Sequence, residues 1–381
     1  MAKYRLGDIA PVSQGMVADN DQYWLLNLDV VESNTGKVLE YVYVDYSQIG
    51  ASTVSFDQTN VLYSKLRPYL NKVVIPDRAG YATSEMLPLK PNEQVITRKY
   101  LTYFLRSPHF VEYINGKTSG AKMPRANIAD LKSIEIECPP IMNQNRITSQ
   151  FDLITTIIDN RKKELSAFDD LIKARFVEVF KQGYPEDSLL NLCNIIDYRG
   201  KTPEKVESGL PFITAKNIKM HKMSMEPREY ISKETYDKVM VRGFPKEGDV
   251  VFTTEAPLGN VCRIPHFDTE FYIGQRIVTL QTEKLIPAYL EYAVSTEDFK
   301  RKYMEKSSGS TVTGIRVRLL EKLTIPVPPI ELQKQFADFV NQVDKSKFSG
   351  RVCNSKYKLV LQLGIDKIHQ LFYSLIQEFL G

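Results

Sequence analysis

The chain is written twice. Lys99-Tyr100-Leu101-Thr102-Tyr103 reappears as Ala288-Tyr289-Leu290-Glu291-Tyr292, and Thr118-Ser119-Gly120 as Ser307-Ser308-Gly309. Ile134-Glu135-Ile136-Glu137-Cys138-Pro139-Pro140-Ile141 reappears as Leu323-Thr324-Ile325-Pro326-Val327-Pro328-Pro329-Ile330. All three pairs stand 189 residues apart, without a gap, in a chain of 381. A period of half the chain is a domain, not the short unit of a solenoid. Weaker echoes precede these. Val61-Leu62-Tyr63-Ser64-Lys65 resembles Val250-Val251-Phe252-Thr253-Thr254, each an apolar, β-branched and aromatic run of the kind that makes a buried strand feeding a polar loop. Elsewhere the copies diverge, as in Leu26-Asn27-Leu28-Asp29 against Ile213-Thr214-Ala215-Lys216-Asn217-Ile218. One frame with two surfaces suits two domains with different targets; drift after duplication would look the same.

Each copy closes on a strand, a Pro-Pro and a long helix. Ile134 and Ile136, like Leu323 and Ile325, alternate as in a half-buried strand. Proline has no amide donor, so the ladder stops there. Beyond it, Ile147, Phe151, Ile154, Ile158, Leu165, Phe168, Ile172 and Val179 follow steps of four and three, with Arg161 and Arg175 filling the two gaps. Such a seam over several heptads predicts a helix–helix interface. About 40 residues at ~1.5 Å each give a rod on the order of 60 Å. Adding the repeat offset keeps the phase through Phe336, Val340, Val343, Tyr357, Leu361 and Ile368, with Lys347, Gly350, Asn354 and Gly364 as weak positions.

The reading is therefore an α+β chain of two similar domains, residues 1–140 and 183–329, each followed by a long helix, 141–182 and 330–381. The helices are expected to pair as an antiparallel coiled coil with pseudo-twofold symmetry. With Phe168 opposite Tyr357, Arg161 would face Gly364 and Arg175 would face Gly350, large against small. A helical break around Ser349–Asn354 is the competing reading, since glycine costs ~1 kcal/mol in a helix.

Composition excludes more than it proves. No apolar run has the length of a membrane span, and the start Met-Ala-Lys-Tyr-Arg-Leu-Gly-Asp lacks a signal peptide's apolar core. Cys138, Cys193, Cys262 and Cys353 show no Cys-x-x-Cys spacing, and His109, His221, His266 and His369 lie far apart. Reduced thiols in a cytoplasm, and no metal site, are expected. Gly116-Lys117-Thr118 and Gly200-Lys201-Thr202 end like P-loops, but Val111 and Ile195 stand where the first glycine belongs. Net charge is only +4, which by itself does not point to nucleic acid; any face binding a polyanion would have to come from local clustering.

The duplicated order of domain, strand, Pro-Pro and long helix resembles the specificity subunits of type I restriction–modification enzymes. That family opens its helices on a Pro-Pro-Leu-x-Glu-Gln-like motif, here Pro139-Pro140-Ile141-Met142-Asn143-Gln144 and Pro328-Pro329-Ile330-Glu331-Leu332-Gln333. Tyr23-Trp24-Leu25-Leu26-Asn27-Leu28, Gly248-Asp249-Val250-Val251-Phe252-Thr253 and Ser308-Gly309-Ser310-Thr311 are also family-like. Asn143 and Leu332 depart from the usual glutamate. The resemblance implies a non-catalytic subunit whose two domains each read one half of a split site in double-stranded DNA, with the helices setting the gap. Its partners would be two methyltransferase subunits, holding S-adenosylmethionine and methylating adenine N6, and restriction subunits, which would carry ATP and Mg. The chain itself would hold no cofactor. Consistently, neither Pro-Pro has the Asn/Asp before and Tyr/Phe after that an adenine methyltransferase needs. The alternatives are a DNA-binding regulator or architectural protein acting without a methyltransferase, and a pure interaction scaffold.

Affinity for DNA comes from Lys and Arg on phosphates, specificity from side chains at base edges. In the first copy the candidates are Lys117, Thr118, Ser119, Lys122 and Arg125 around Gly120, and Lys65, Arg67 and Tyr69 just past a strand. In the second they are Lys306, Ser307, Ser308, Thr311, Thr313 and Arg316 in the matching loop, with Arg199, Lys201, Thr202, Lys216, Asn217, Thr254, Gln275 and Arg276. Asparagine pairs bidentately with adenine and arginine with guanine; otherwise these are solvated turns. Lys300-Arg301-Lys302 is expected on the solvated face of one helix from Tyr289 to Lys306. Tyr100, Tyr103, Tyr289, Tyr292 and Trp24 are expected to be packing residues.

Overall fold

Each copy is built around a strand whose four side chains are all buried: Val61–Ser64 in the first, Val250–Thr253 in the second. Both faces are covered, so the sequence runs continuously apolar instead of alternating. The two strands stand at the same 189-residue offset as the stronger motifs. Val61–Ser64 lies antiparallel between Val73–Val74 and Met86–Leu89. Val250–Thr253 lies between Val261–Arg263 and Ile277–Gln281, and Asn194–Asp197 extends that sheet. A second small sheet also repeats. Tyr23–Leu26 runs parallel to Gly80–Thr83 and antiparallel to Tyr43–Val44; Leu210–Ile213 runs parallel to Tyr272–Ile273 and antiparallel to Tyr230–Ile231.

This computed structural model describes residues 2–120, 122–200, 203–309 and 313–362, with the backbone alone from 348 to 362. Two units emerge, one formed largely by the residues up to Lys163 and the other by Glu164–Ser349. Trp24, 2% exposed, packs edge-on to Phe56 with ring centroids 5.2 Å apart. Tyr100, Tyr289 and Tyr292 are buried and Tyr103 packs at the edge of the first core, so the repeated tyrosines hold the frame. Burying such side chains stabilises each unit by roughly 1.5–3 kcal/mol apiece.

The helix pair Arg98–Arg106 and Pro108–Asn115 is matched by Pro287–Ala293 and Glu297–Lys306. The single helix expected from Tyr289 to Lys306 is thus two. Thr296 leaves the helical conformation and its hydroxyl accepts the Phe299 N–H at 3.2 Å, a helix start that a β-branched hydroxyl residue favours. Of the cationic run on the second helix, Lys302 is not merely solvated, since its ammonium reaches Glu186 at 2.9 Å.

Each unit is closed by pairing its first strand with its last: Ala2–Arg5 with Glu135–Cys138, and Glu186–Ser188 with Thr324–Pro326. The Pro-Pro and a long helix follow, Ile141–Val179 and Ile330–Gln362. The glutamine of the shared motif explains how the helix start is fixed. Gln144 Nε2 donates to the carbonyls of Val95 (2.7 Å) and Pro139 (2.9 Å), and its Oε1 accepts the Thr97 N–H at 2.9 Å. Gln333 does the same with Pro328 O (2.8 Å) and the Ile286 N–H (2.9 Å). Both amides are buried, and buried amides are costly unless satisfied in this way.

The seam reads well as burial. Ile147, Phe151, Ile154 and Ile158 are buried, Leu165 and Phe168 half-buried, and Ile172 buried again. Within the second unit Ile172 forms one cluster with Phe336, Val340 and Val343, edged by Phe168. The pairing is antiparallel: Lys347 meets Asp169 at 2.7 Å while, further along, Phe176 meets Phe336 at 5.3 Å. The register differs from the size-matching expectation. Arg175 lies over the Phe339 ring, 5.9 Å from its centroid, about three turns from Gly350. Bulk matching lost to aromatic packing and to the charge on Lys347. The helix also runs unbroken through Ser349–Asn354. Of the remaining predicted seam positions, Tyr357 and Leu361 lie in the stretch described by backbone alone, and Ile368 lies outside the described residues.

Candidate nucleic-acid interface

Two segments singled out by sequence in the first copy meet at the end of the buried strand. The strand Arg125–Ala126 pairs with Thr118–Ser119 and then docks on the segment after Ser64. The Ala126 N–H donates to Lys65 O at 2.8 Å, the Arg67 N–H to Pro124 O at 2.7 Å, and the Lys65 N–H to Glu85 O at 2.9 Å. Lys65, Arg67 and Arg125 thus share one junction. Arg67 has a left-handed backbone, φ 48°, a strained conformation that needs such fastening and is common at functional sites.

The second unit builds the same junction. The Ile315 N–H donates to Thr254 O and the Thr254 N–H to Arg276 O, each at 2.9 Å. Glu255 bridges Gly314 as Leu66 bridges Arg125, and Ala256 repeats the φ of 48° found at Arg67. Five backbone positions therefore coincide, and their side chains differ: Lys65, Leu66, Arg67, Glu85 and Arg125 against Thr254, Glu255, Ala256, Arg276 and Gly314. In the second unit Arg199, Thr254, Gln275, Arg276, Ser308 and Arg316 line a polar cleft of ≈ 340 Å³. Lys216 lines the neighbouring cleft, again with Gln275 and Arg276. Residues scattered over more than a hundred sequence positions converge here.

The charges are arranged unequally. Arg125 donates from Nε and one terminal nitrogen to Glu85 (3.0 and 2.8 Å), and Glu255 holds Arg276 Nε at 2.8 Å. Arg199 pairs with Asp197 at 3.0 Å. Lys117 pairs with Asp130 at 3.2 Å and lies over the Tyr113 ring. By contrast Lys122, Lys216, Lys306 and Arg316 are exposed and carry no ion pair among the described residues, as a contact to phosphate would need. Tyr69 is 51% exposed; Ser119, Ser308 and Thr313 are exposed, and Thr118 and Ser307 turn their hydroxyls onto Asn115 O and Met304 O.

Comparison with known proteins decides the family. The family model for the type I restriction modification DNA specificity domain matches twice, over residues 1–167 and 187–349. The chain belongs to that family. It is similar to the type I restriction enzyme MjaVIII specificity subunit of Methanocaldococcus jannaschii, 23% identical over 326 residues, covering 76% of this chain and 75% of the relative. It is also similar to the type I restriction enzyme EcoDI specificity subunit of Escherichia coli, 26% identical over 136 residues, 36% of this chain and 30% of that one. Among solved structures, a chain from work on complex assembly and conformational transition of the type I R-M system aligns at TM-score 0.60, with 18% identity and 96% of each chain covered. The type I restriction–modification S subunit of M. genitalium aligns at 0.55, with 14% identity and 95% of each chain covered. These likenesses place the duplicated α+β fold with the specificity subunits.

Two candidate contacts of this specificity chain are corrected. Asn217 is 1% exposed: its Oδ1 accepts from the Thr214 N–H and hydroxyl, and its Nδ2 donates to Ser224 O and Pro227 O. A saturated amide has nothing left for an adenine, so Asn217 is a turn residue. Thr254 is 2% exposed and its hydroxyl donates to Arg276 O at 3.3 Å; it fastens the junction. Lys201, Thr202 and Thr311 lie outside the described residues. Sequence reading missed Glu85 and Glu255, because an isolated acidic residue carries no local sign of the arginine it will meet.

Among the described residues, no group of three or more His, Cys, Asp or Glu side chains could hold a metal, and no helix is long and apolar enough to cross a membrane. The described thiols are buried, which pushes Cys138 up to about 11 and Cys193 and Cys262 up to about 12. They stay protonated near neutrality and are poor nucleophiles.

Proposed function

We propose that this chain is the DNA-reading subunit of a type I restriction–modification enzyme. Each recognition domain, 1–140 and 183–329, reads one half of a bipartite target in double-stranded DNA. The spacers, 141–182 and 330–381, set the distance between halves and dock two methyltransferase subunits. S-adenosylmethionine belongs to those subunits, ATP and Mg to the restriction subunits that join them, and the chain performs no chemistry itself, acting on cytoplasmic DNA. The observation that carries this reading is the junction built twice on two equivalent backbone hydrogen bonds and one equivalent bridge, with five different side chains. Conserved scaffolding with exchanged polar groups is what independent readout of two half-sites requires.

The test is long-read mapping of adenine methylation in cells with and without the gene. The expected result is a split motif, two short defined segments around a fixed unread gap, that vanishes with the gene. An unchanged methylation pattern, with DNA binding by the purified chain and no methyltransferase accompanying it, would favour a regulator instead.

A further inference from the structure

The two braced arginines have more in common than their charge. In each unit one guanidinium and one carboxylate meet at the junction, yet they come from different positions of the shared frame. In the first unit the arginine comes from the hairpin (Arg125) and the carboxylate from the neighbouring strand end (Glu85). In the second, Arg276 stands where Glu85 stands, each offering its carbonyl to the equivalent N–H, and the carboxylate moves to Glu255. The position of Glu85 changes sign, and the partner moves from the hairpin to the segment after the buried strand, where Leu66 stands in the first unit.

In both pairs the arginine is the outer partner: Arg125 is 45% exposed against 21% for Glu85, and Arg276 is 52% against 43% for Glu255. Glu255 takes Arg276 at Nε; Arg125 is held at Nε and one terminal nitrogen by Glu85, with its other terminal nitrogen 3.4 Å from the Met123 carbonyl, so its remaining terminal N–H donors are the ones left for a base. Such a guanidinium is pre-oriented, so less freedom is lost when it binds. Two parallel donors match the O6 and N7 acceptors of guanine.

Resting on the function proposed above, the geometry points to Arg125 and Arg276 as the residues that each specify a guanine, one in each half-site, with Glu85 and Glu255 as the positioning residues that aim them. Glu255→Gln keeps the size of the brace and removes its charge, so it weakens the same guanine preference without shifting it to another position.

The full chain, in complex with its methyltransferase subunits, is tested by selection from duplex libraries in which each target position is randomised in turn. Arg276→Ala is expected to lose a roughly ten- to hundredfold preference for one guanine in one half-site, leaving the other half and the gap unchanged. Arg125→Ala is expected to do the same in the opposite half. Glu255→Gln, whose melting is compared with the parent, guards against simple unfolding. Binding weakened equally at all positions would make these arginines phosphate contacts and overturn the inference, as would half-sites without a guanine. Selection of no split site by the parent complex would overturn the proposed function itself, and this assignment with it.

Discussion

Lys347 Nζ lies 2.7 Å from the Asp169 carboxylate, with the lysine only 3% exposed and the aspartate 49% exposed. One helix thus presents an ammonium in the middle of its apolar seam, and the other answers it. Asp344, 3.5 Å away on the lysine's own helix, is the second partner. The ion pair locks the antiparallel register where apolar residues alone allow sliding by a heptad. Removing Asp169 leaves the buried ammonium with only the more distant Asp344, whereas removing the lysine leaves two carboxylates that water still reaches. Asp169→Ala is therefore expected to destabilise by about 2–3 kcal/mol and Lys347→Met by less than about 1 kcal/mol, as read from urea unfolding. Equal losses would show that the lysine packs but does not pair.

Gln333 ties the C-terminal helix to the domain before it. Gln333→Leu leaves the Ile286 N–H and the Pro328 carbonyl without partners. A loss of about 2–4 kcal/mol is expected at roughly 1–3 kcal/mol per stranded group. Gln144→Leu is expected to act alike on the first unit. Unchanged melting of both variants would remove the motif from its fastening role.

The Thr324 hydroxyl, and next to it the Lys302 ammonium, hold the Glu186 carboxyl below the usual carboxylate range. A group whose folded value is depressed stabilises above its unfolded pKa, and that stabilisation is lost as pH falls through the folded value. The stability gap between the parent and Lys302→Met should therefore be open at neutral pH and close below about pH 4. A gap that persists in acid would mean the lysine acts through its stem.

Lys65 and Lys122 carry no ion pair among the described residues, unlike Lys117 and Arg125. Each free cation placed on a phosphate contributes about one to the slope of binding against salt. Lys65→Ala and Lys122→Ala should each reduce that slope by ~1 without altering which bases are preferred, while Lys117→Ala should change it less. A slope unaffected by either variant would take these lysines off the DNA.

How much of this was legible depended on the range of the signal. Val61–Ser64 and Val250–Thr253 were readable because burial on both faces leaves a local apolar run. The seam was readable because its period lies within one helix. Its register was not, since a heptad pattern looks the same after any slide, and Lys347, read as a weak position, turned out to fix it. Gln144 stood out as a motif residue, but its partner Thr97 lies 47 positions away. Asn217 misled because adenine-reading asparagines and turn-capping asparagines look identical in sequence. Glu85 and Arg276 stayed unmatched because strands Met86–Leu89 and Ile277–Gln281 have slipped relative to the constant offset of the motifs around them.

Everything turns on two related units acting on one DNA at a set separation, and affinity for designed duplexes measures that most directly. Once methylation mapping has supplied the motif, the complex is titrated with duplexes carrying both halves at the native gap, both halves at a gap two base pairs longer, or one half alone. The native duplex is expected to bind at least about a hundredfold tighter than either single half, as tethered sites do, and the lengthened gap should forfeit most of that gain. A single half bound as tightly as the whole target would contradict the two-unit mechanism.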